Sequence, residues 1–151
     1  MTTLLLVRHG ETIDNANKIL QGQTQGELND KGRQQALELS KALISRHIDA
    51  FVSSDLRRAI ETCEIIASPH NVDLETTTLL RERDWGAFTG RYIPDLKDEK
   101  WPDDIEKKFP DKTVLAVGHG IINKAIQAVY YNKEMKDIAP MSNCEVRELT
   151  I

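Results

Sequence analysis

The chain has 151 residues, 40% of them hydrophobic and 29% charged, which is the size and balance of one ordinary globular domain able to bury its own core. Lys and Arg number 20 against 24 Asp and Glu, a net charge of −4, which argues against a broad electrostatic grip on nucleic acid or an anionic membrane but leaves room for a small cationic pocket. The 2 cysteines, Cys63 and Cys144, form no CxxC; they exclude a disulfide framework or zinc knuckle and fit a reducing cytoplasm.

The first apolar run, Leu4 to Val7, meets Arg8 too early for a signal peptide and reads as a strand buried on both faces. Asn29 is placed to cap a helix running to about Arg46, with Ala36, Leu39, Leu43 and Ile44 as its apolar stripe. Ala50 to Ser53 is a second buried strand. Asp55 is expected to cap a second helix whose Ala59, Ile60, Cys63, Ile66 and Ala67 share one face and which ends before Pro69. Residues 91–112 carry 13 charges in 22 positions, nearly balanced in sign, and hold one short helix with Pro102 in its first turn and Trp101, Ile105 and Phe109 anchoring it. Val114 to Val117 is a third strand. A helix follows Gly120 with Ile121, Ile122, Ala125, Ile126 and Val129 inward, and the tail from Glu145 to Ile151 alternates like a half-exposed last strand. No apolar run is long enough to span a membrane. Strand and helix in alternation predict a single α/β domain over residues 1–151, a three-layer α/β/α sandwich with a mostly parallel sheet.

In such sheets ligands bind beyond the carboxyl ends of the strands. There the chain delivers Arg8-His9-Gly10-Glu11-Thr12, Ser53-Ser54-Asp55-Leu56-Arg57-Arg58 and Gly118-His119-Gly120. A lone strand-end histidine is more often structural, and a lone arginine is usually a surface charge. Two histidines in equivalent places, each beside a glycine, together with arginines, suit a tetrahedral anion. The N-terminus of the helix after Gly120 adds N–H groups and a positive dipole end. The pattern points to a phosphate site containing two imidazoles.

The stretch Leu5-Leu6-Val7-Arg8-His9-Gly10-Glu11-Thr12, with Asn15 and Gln21-Gly22, resembles the signature of the histidine phosphatase superfamily (phosphoglycerate mutase-like). Leu28 to Ala36, Ser53 to Ala59, Leu80 to Gly86 and Val117-Gly118-His119-Gly120 follow in the same order as that family's blocks. The resemblance implies that His9 accepts a phosphoryl group, that Arg8, Arg58 and His119 hold it, that Asn15, Gln21, Gly22 and Gly120 assist substrate binding, and that Glu82 donates the proton, all without a metal or other cofactor. To attack phosphorus, His9 must keep one nitrogen unprotonated, so its other N–H needs an acceptor such as a carbonyl near Gly10.

Other readings stand beside these. Glu82 lies in Arg81-Glu82-Arg83-Asp84, and such a cluster is ordinarily a solvated surface. Glu11 is a second candidate acid, although it is well placed to hold the loop. Arg57 and Arg58 cannot point the same way, and the motif sets Arg58 inward. His47 and His70 read as structural, Cys63 as core. The family often has Asp and Pro where Gln25 and Glu27 stand here, and commonly a longer cap between Gly90 and Thr113. That short segment, with the chain ending at its last strand, leaves a phosphorylated intermediate open to water, so a phosphatase is expected over a mutase. A small phosphomonoester ranks first as substrate. A phosphoprotein of the phosphohistidine type ranks second, then phosphoglycerate mutation, a non-catalytic phosphate-binding module, and a metal hydrolase using His9 and His119. Neither nucleic acid nor a membrane is an expected partner, and the sequence sets no oligomeric state.

Overall fold

The computed structural model describes residues 1–17, 26–82 and 101–151, in which strands and helices alternate along the chain. They are β1 (Thr3–Arg8), α1 (Ile13–Ala16), α2 (Asp30–Ala42), β2 (Ala50–Ser54), α3 (Arg57–Ala67), β3 (Leu74–Thr77), α4 (Trp101–Lys108), β4 (Thr113–Gly118), α5 (Gly120–Tyr131) and β5 (Val146–Thr150). The sheet order is β3-β2-β4-β1-β5, parallel throughout except for β5, which runs antiparallel to β1.

The apolar runs of β1 and β4 are continuous because both sheet faces are covered. Leu4 and Leu6, with Val114 and Ala116, meet Ile105 of α4 and Ile122 and Ile126 of α5. Leu5 and Val7, with Leu115 and Val117, face the other way onto Ala59, Cys63 and Ile66 of α3, with Leu39 of α2 packed alongside. Helix, sheet and helix thus form the three expected layers. The register sets Arg8 opposite Gly118 and Ser53 opposite Val117, so β1, β2 and β4 end at one level. Among the described residues no helix is long and apolar enough to cross a membrane.

Several expectations need correction. Asn29 does cap α2, its Oδ1 accepting the Gly32 N–H at 2.8 Å, but the helix stops at Ala42 instead of near Arg46. Leu43 still packs on the core, whereas Ile44 is 62% exposed. Asp55 does not cap α3, whose N-cap is Leu56 without a side-chain bond. Its carboxylate instead takes both prongs of the Arg81 guanidinium, at 2.7 and 2.6 Å. Two charge-assisted bonds outweigh the single amide that a helix end offers. The edge strand β3 was not anticipated: its Glu75 and Thr76 are exposed, so it lacks the apolar run that marked the others. In α4, Ile105 is buried and Phe109 packs against the same cluster, while the Trp101 side chain lies outside what is described.

Gly32 lies in the first turn of α2 directly against the chain that leaves β1. A Cβ on Gly32 would stand inside the van der Waals shell of the Glu11 carbonyl, and one on Gly10 would lie 2.7 Å from the Gly32 oxygen. Replacing a helical glycine by alanine ordinarily stabilises by about 1 kcal/mol. Here the clash is with backbone, which cannot rotate away, so the sign reverses. Gly32→Ala is expected to lose about 1–3 kcal/mol, read as a lower urea midpoint with unchanged m-value.

Candidate active site

The shared level of β1 and β4 brings His9 and His119 together, their ring centroids 5.1 Å apart. His9 is 3% exposed, and its own N–H continues the ladder to the Gly118 carbonyl at 3.2 Å. Its Nδ1 lies 2.7 Å from the Gly10 carbonyl. A carbonyl can only accept, so Nδ1 carries the proton and Nε2 the lone pair. Burial above all, with help from the Arg58 and Arg8 charges, pushes the imidazole pKa down to about 3, so the ring is neutral at pH 7.

His119 is fully buried, with Nε2 2.8 Å from the Ser54 Oγ, which itself accepts the Leu56 N–H at 3.2 Å. Burial, then His9 and the two arginines, hold its pKa well below 6.5. Its Nδ1 is buried and has no hydrogen-bond partner among the described residues, nor has Nε of Arg8. Buried polar nitrogens left bare are costly, so a site carrying two of them is suited to receive acceptor oxygens.

Two guanidiniums accompany the imidazoles. Arg58, on the first turn of α3, is 1% exposed; burial lowers its pKa to about 10, and Glu82 and Asp14 favour its charge, so it remains a cation. Arg57 beside it is exposed, as expected of adjacent helical positions. Arg8 is half-buried, donates from Nη1 to the Met141 carbonyl at 2.7 Å, and lies over Gly120, where a Cβ would come within 3.6 Å of its Nε.

Glu82 is half-buried and turned towards this group. Its Oε2 accepts the Ile121 N–H in the first turn of α5 at 3.4 Å, and its charge acts on both Arg8 and Arg58. It is therefore not the solvated charge that its neighbours in sequence suggested. Glu11 turns to α2 instead, accepting from Asn29 Nδ2 at 2.9 Å and pairing with Lys31, and that hydrogen bond is the main reason its pKa is lowered. Asn15 forms a capping box with Thr12, its Oδ1 accepting the Thr12 N–H at 3.2 Å. Gln21 and Gly22 lie outside the described residues.

The two other histidines and the cysteines take no part in this group. His47 is exposed and paired with Asp49 at 2.8 Å. His70 ends a short 3₁₀ turn, Ser68–His70, with its ring 5.3 Å from that of Phe51. Cys63 is core, its thiol pushed up by burial, and burial pushes Cys144 up to about 12. Among the described residues no three His, Cys, Asp or Glu side chains gather as a metal-binding group. Sequence reasoning missed Ser54, although a hydroxyl at the end of β2 sits at the level of His119. It also missed Thr62, one helical turn beyond the buried Arg58 on the same face.

Residues 4–104 match the family model described as the histidine phosphatase superfamily (branch 1). A curated relative from Salmonella choleraesuis, named "Probable phosphoglycerate mutase GpmB", is 41% identical over 100 residues, 66% of this chain and 46% of its own length. The chain thus spans about half the length of the curated relatives it matches. Among solved structures, the phosphoserine phosphatase of Entamoeba histolytica, in complex with 3-phosphoglyceric acid, superposes with a TM-score of 0.88 at 24% identity, covering 98% of this chain and 90% of that one. A mycobacterial glucosyl-3-phosphoglycerate phosphatase superposes at 0.82 with 23% identity, covering 98% and 92%. At these identities the likeness is one of fold.

The two depressed imidazoles make stability depend on pH. Unfolded, each titrates near 6.5; folded, His9 does so near 3 and His119 far below 6.5. Their contribution is complete above pH 6.5 and is lost as pH falls, because the unfolded chain then takes up protons that the native site refuses. Between pH 6.5 and 5, stability should fall by roughly 1 kcal/mol per unit for each histidine at the acid end. Urea titrations at fixed ionic strength would measure this, and His119→Gln should remove about half of that slope.

Proposed function

Because the chain belongs to the histidine phosphatase superfamily, we propose that it is a metal-independent phosphomonoesterase that works through a phosphohistidine on His9 and acts on a small phosphorylated metabolite. The observation that carries this reading is the His9 Nδ1 bond to the Gly10 carbonyl, which leaves Nε2 with a lone pair in a buried, cation-lined site.

Nε2 attacks phosphorus in line with the leaving oxygen, so that a P–N bond forms as the P–O bond breaks. Arg8 and Arg58 offset the charge on the equatorial oxygens, with the first N–H groups of α5 and Gly120 nearby. With the Ser54 hydroxyl donating to Nε2 of His119, Nδ1 of that ring carries a hydrogen for a phosphoryl oxygen. Protonated Glu82 gives its proton to the departing alkoxide; as a carboxylate it takes one from the water that cleaves P–N and releases inorganic phosphate. Asn15, Gln21 and Gly22 complete the proposed substrate contacts.

Hydrolysis is favoured by the brevity of the segment between Gly90 and Thr113, because a mutase must keep water from its phosphohistidine. A second reading, isomerisation of a phosphoglycerate, is favoured by the name of the Salmonella relative. A panel of 3-phosphoglycerate, phosphoserine, sugar phosphates and phosphopeptides compared by kcat/KM separates these readings, since hydrolysis yields inorganic phosphate and mutation yields an isomer. A phosphopeptide leading that panel would replace the small-molecule reading.

Hydrolysis of p-nitrophenyl phosphate should persist in EDTA and fall at least about 10³-fold in His9→Ala. A phosphoenzyme trapped with labelled substrate should be labile in acid, stable in base, and missing from that variant. Activity abolished by the chelator, or a label surviving in His9→Ala, would overturn the scheme. In kcat/KM, which reports formation of the phosphohistidine and not its hydrolysis, Glu82→Gln should slow an alkyl phosphate by about 10²–10⁴-fold and the nitrophenyl ester far less, since nitrophenolate leaves without a proton. Equal losses of kcat/KM on both esters would remove Glu82 from the role of acid.

A further inference from the structure

The chain leaves the sheet at Arg8, so the polar groups of the next two peptides fall outside its ladder, and side chains take them up. The His9 carbonyl accepts from Asn143 Nδ2 at 3.0 Å. The Gly10 N–H donates to Thr62 Oγ1 at 3.0 Å. The Gly10 carbonyl accepts from the His9 ring at 2.7 Å, and the Glu11 N–H donates to Gln35 Oε1 at 2.9 Å. Apart from the ring itself, the partners come from the loop before β5, from α3 and from α2. Gly32 lies close on a further side, since its carbonyl would stand 2.7 Å from a Cβ placed on Gly10.

Thr62 is fully buried, and its hydroxyl also donates to the Arg58 carbonyl at 2.8 Å. A threonine bonding back to the carbonyl four residues earlier is commonplace in helices and ordinarily ends there. Here the oxygen has a second task, because it accepts the amide of the residue whose carbonyl fixes the His9 tautomer. One hydroxyl therefore ties the peptide that orients His9 to the helical turn that carries Arg58.

We propose that Thr62 is a positioning residue, the centre of a three-point clamp with Gln35 and Asn143 that holds the Gly10 peptide so that His9 keeps its proton on Nδ1 and its lone pair towards the arginines. The kinetic part of this inference rests on the phosphohistidine reading; the structural part does not.

The test compares Thr62→Val, which keeps the shape and loses the hydroxyl, with Thr62→Ser, which keeps the hydroxyl. In ¹⁵N-histidine spectra at pH 7 the full-length wild type should show His9 as the Nδ1–H tautomer, Thr62→Val a mixture of tautomers, and Thr62→Ser the wild-type signal. With p-nitrophenyl phosphate, Thr62→Val should lower kcat about 10–100-fold with KM within about 3-fold, and Thr62→Ser should stay within about 3-fold of wild type. A folded Thr62→Val with unchanged tautomer and kcat overturns the proposal. So does a Thr62→Ser as impaired as Thr62→Val, which would assign the effect to methyl packing. If the wild type turns over no ester, the phosphatase reading fails while the spectra still decide the role of Thr62. Should Thr62→Val not fold, Gln35→Met is read by the same spectra, and an unchanged His9 signal there overturns the clamp.

Discussion

The bond from the His9 ring to the carbonyl of Gly10 is the constraint on which the site depends. An imidazole buried among guanidiniums cannot hold a charge of its own, because desolvation and like-charge repulsion act in the same direction. That settles neutrality but leaves two tautomers. The neighbouring carbonyl chooses between them, and so decides which nitrogen keeps the lone pair. The same burial that makes His9 neutral leaves Arg58 a cation, since a guanidinium begins so far above neutrality that losing solvent only brings it to about 10. Fixed positive charge and a neutral electron-pair donor thus occupy one pocket, a pairing suited to an anion that must also be attacked.

Sheet topology supplies this geometry. β1 and β4 are adjacent, parallel and in register to their last residues, so the residues that follow each, His9 and His119, start side by side. β2 lies on the other side of β4 and brings Ser54 to His119. Its continuation into α3 delivers Arg58, and the N-terminus of α5 stands beside Glu82. No single loop builds the site; each strand end contributes one or two groups, and the covered core beneath keeps their relative heights.

The fold was legible where its cause was local and hydrophobic. Continuous apolar runs marked the strands covered on both faces, and the helices adjoining them followed from spacing and from the cap at Asn29. β3 was missed because an edge strand with exposed Glu75 and Thr76 carries no such run, and Asp55 was misread because its partner, Arg81, lies 26 residues away in sequence. In the site, the coincidence of two His-Gly pairs at strand ends was readable from residues alone, whereas Glu82 stood out only through family resemblance. Thr62, Gln35 and Asn143 were invisible: an uncharged hydroxyl or amide has no signature until the backbone group that it satisfies is known.

The salt link between Arg81 and Asp55 has a consequence for how such a protein can change over generations. Glu82 follows directly on Arg81, which is fastened to the end of β2 by two short bonds, and on Leu80, which is sunk in the core. The carboxylate is thus moored from the side preceding it in the chain. Insertions, deletions or replacements farther along the chain need not reset where this carboxylate stands, so its position and the sequence that follows can drift as separate modules, one inherited and the other improvised.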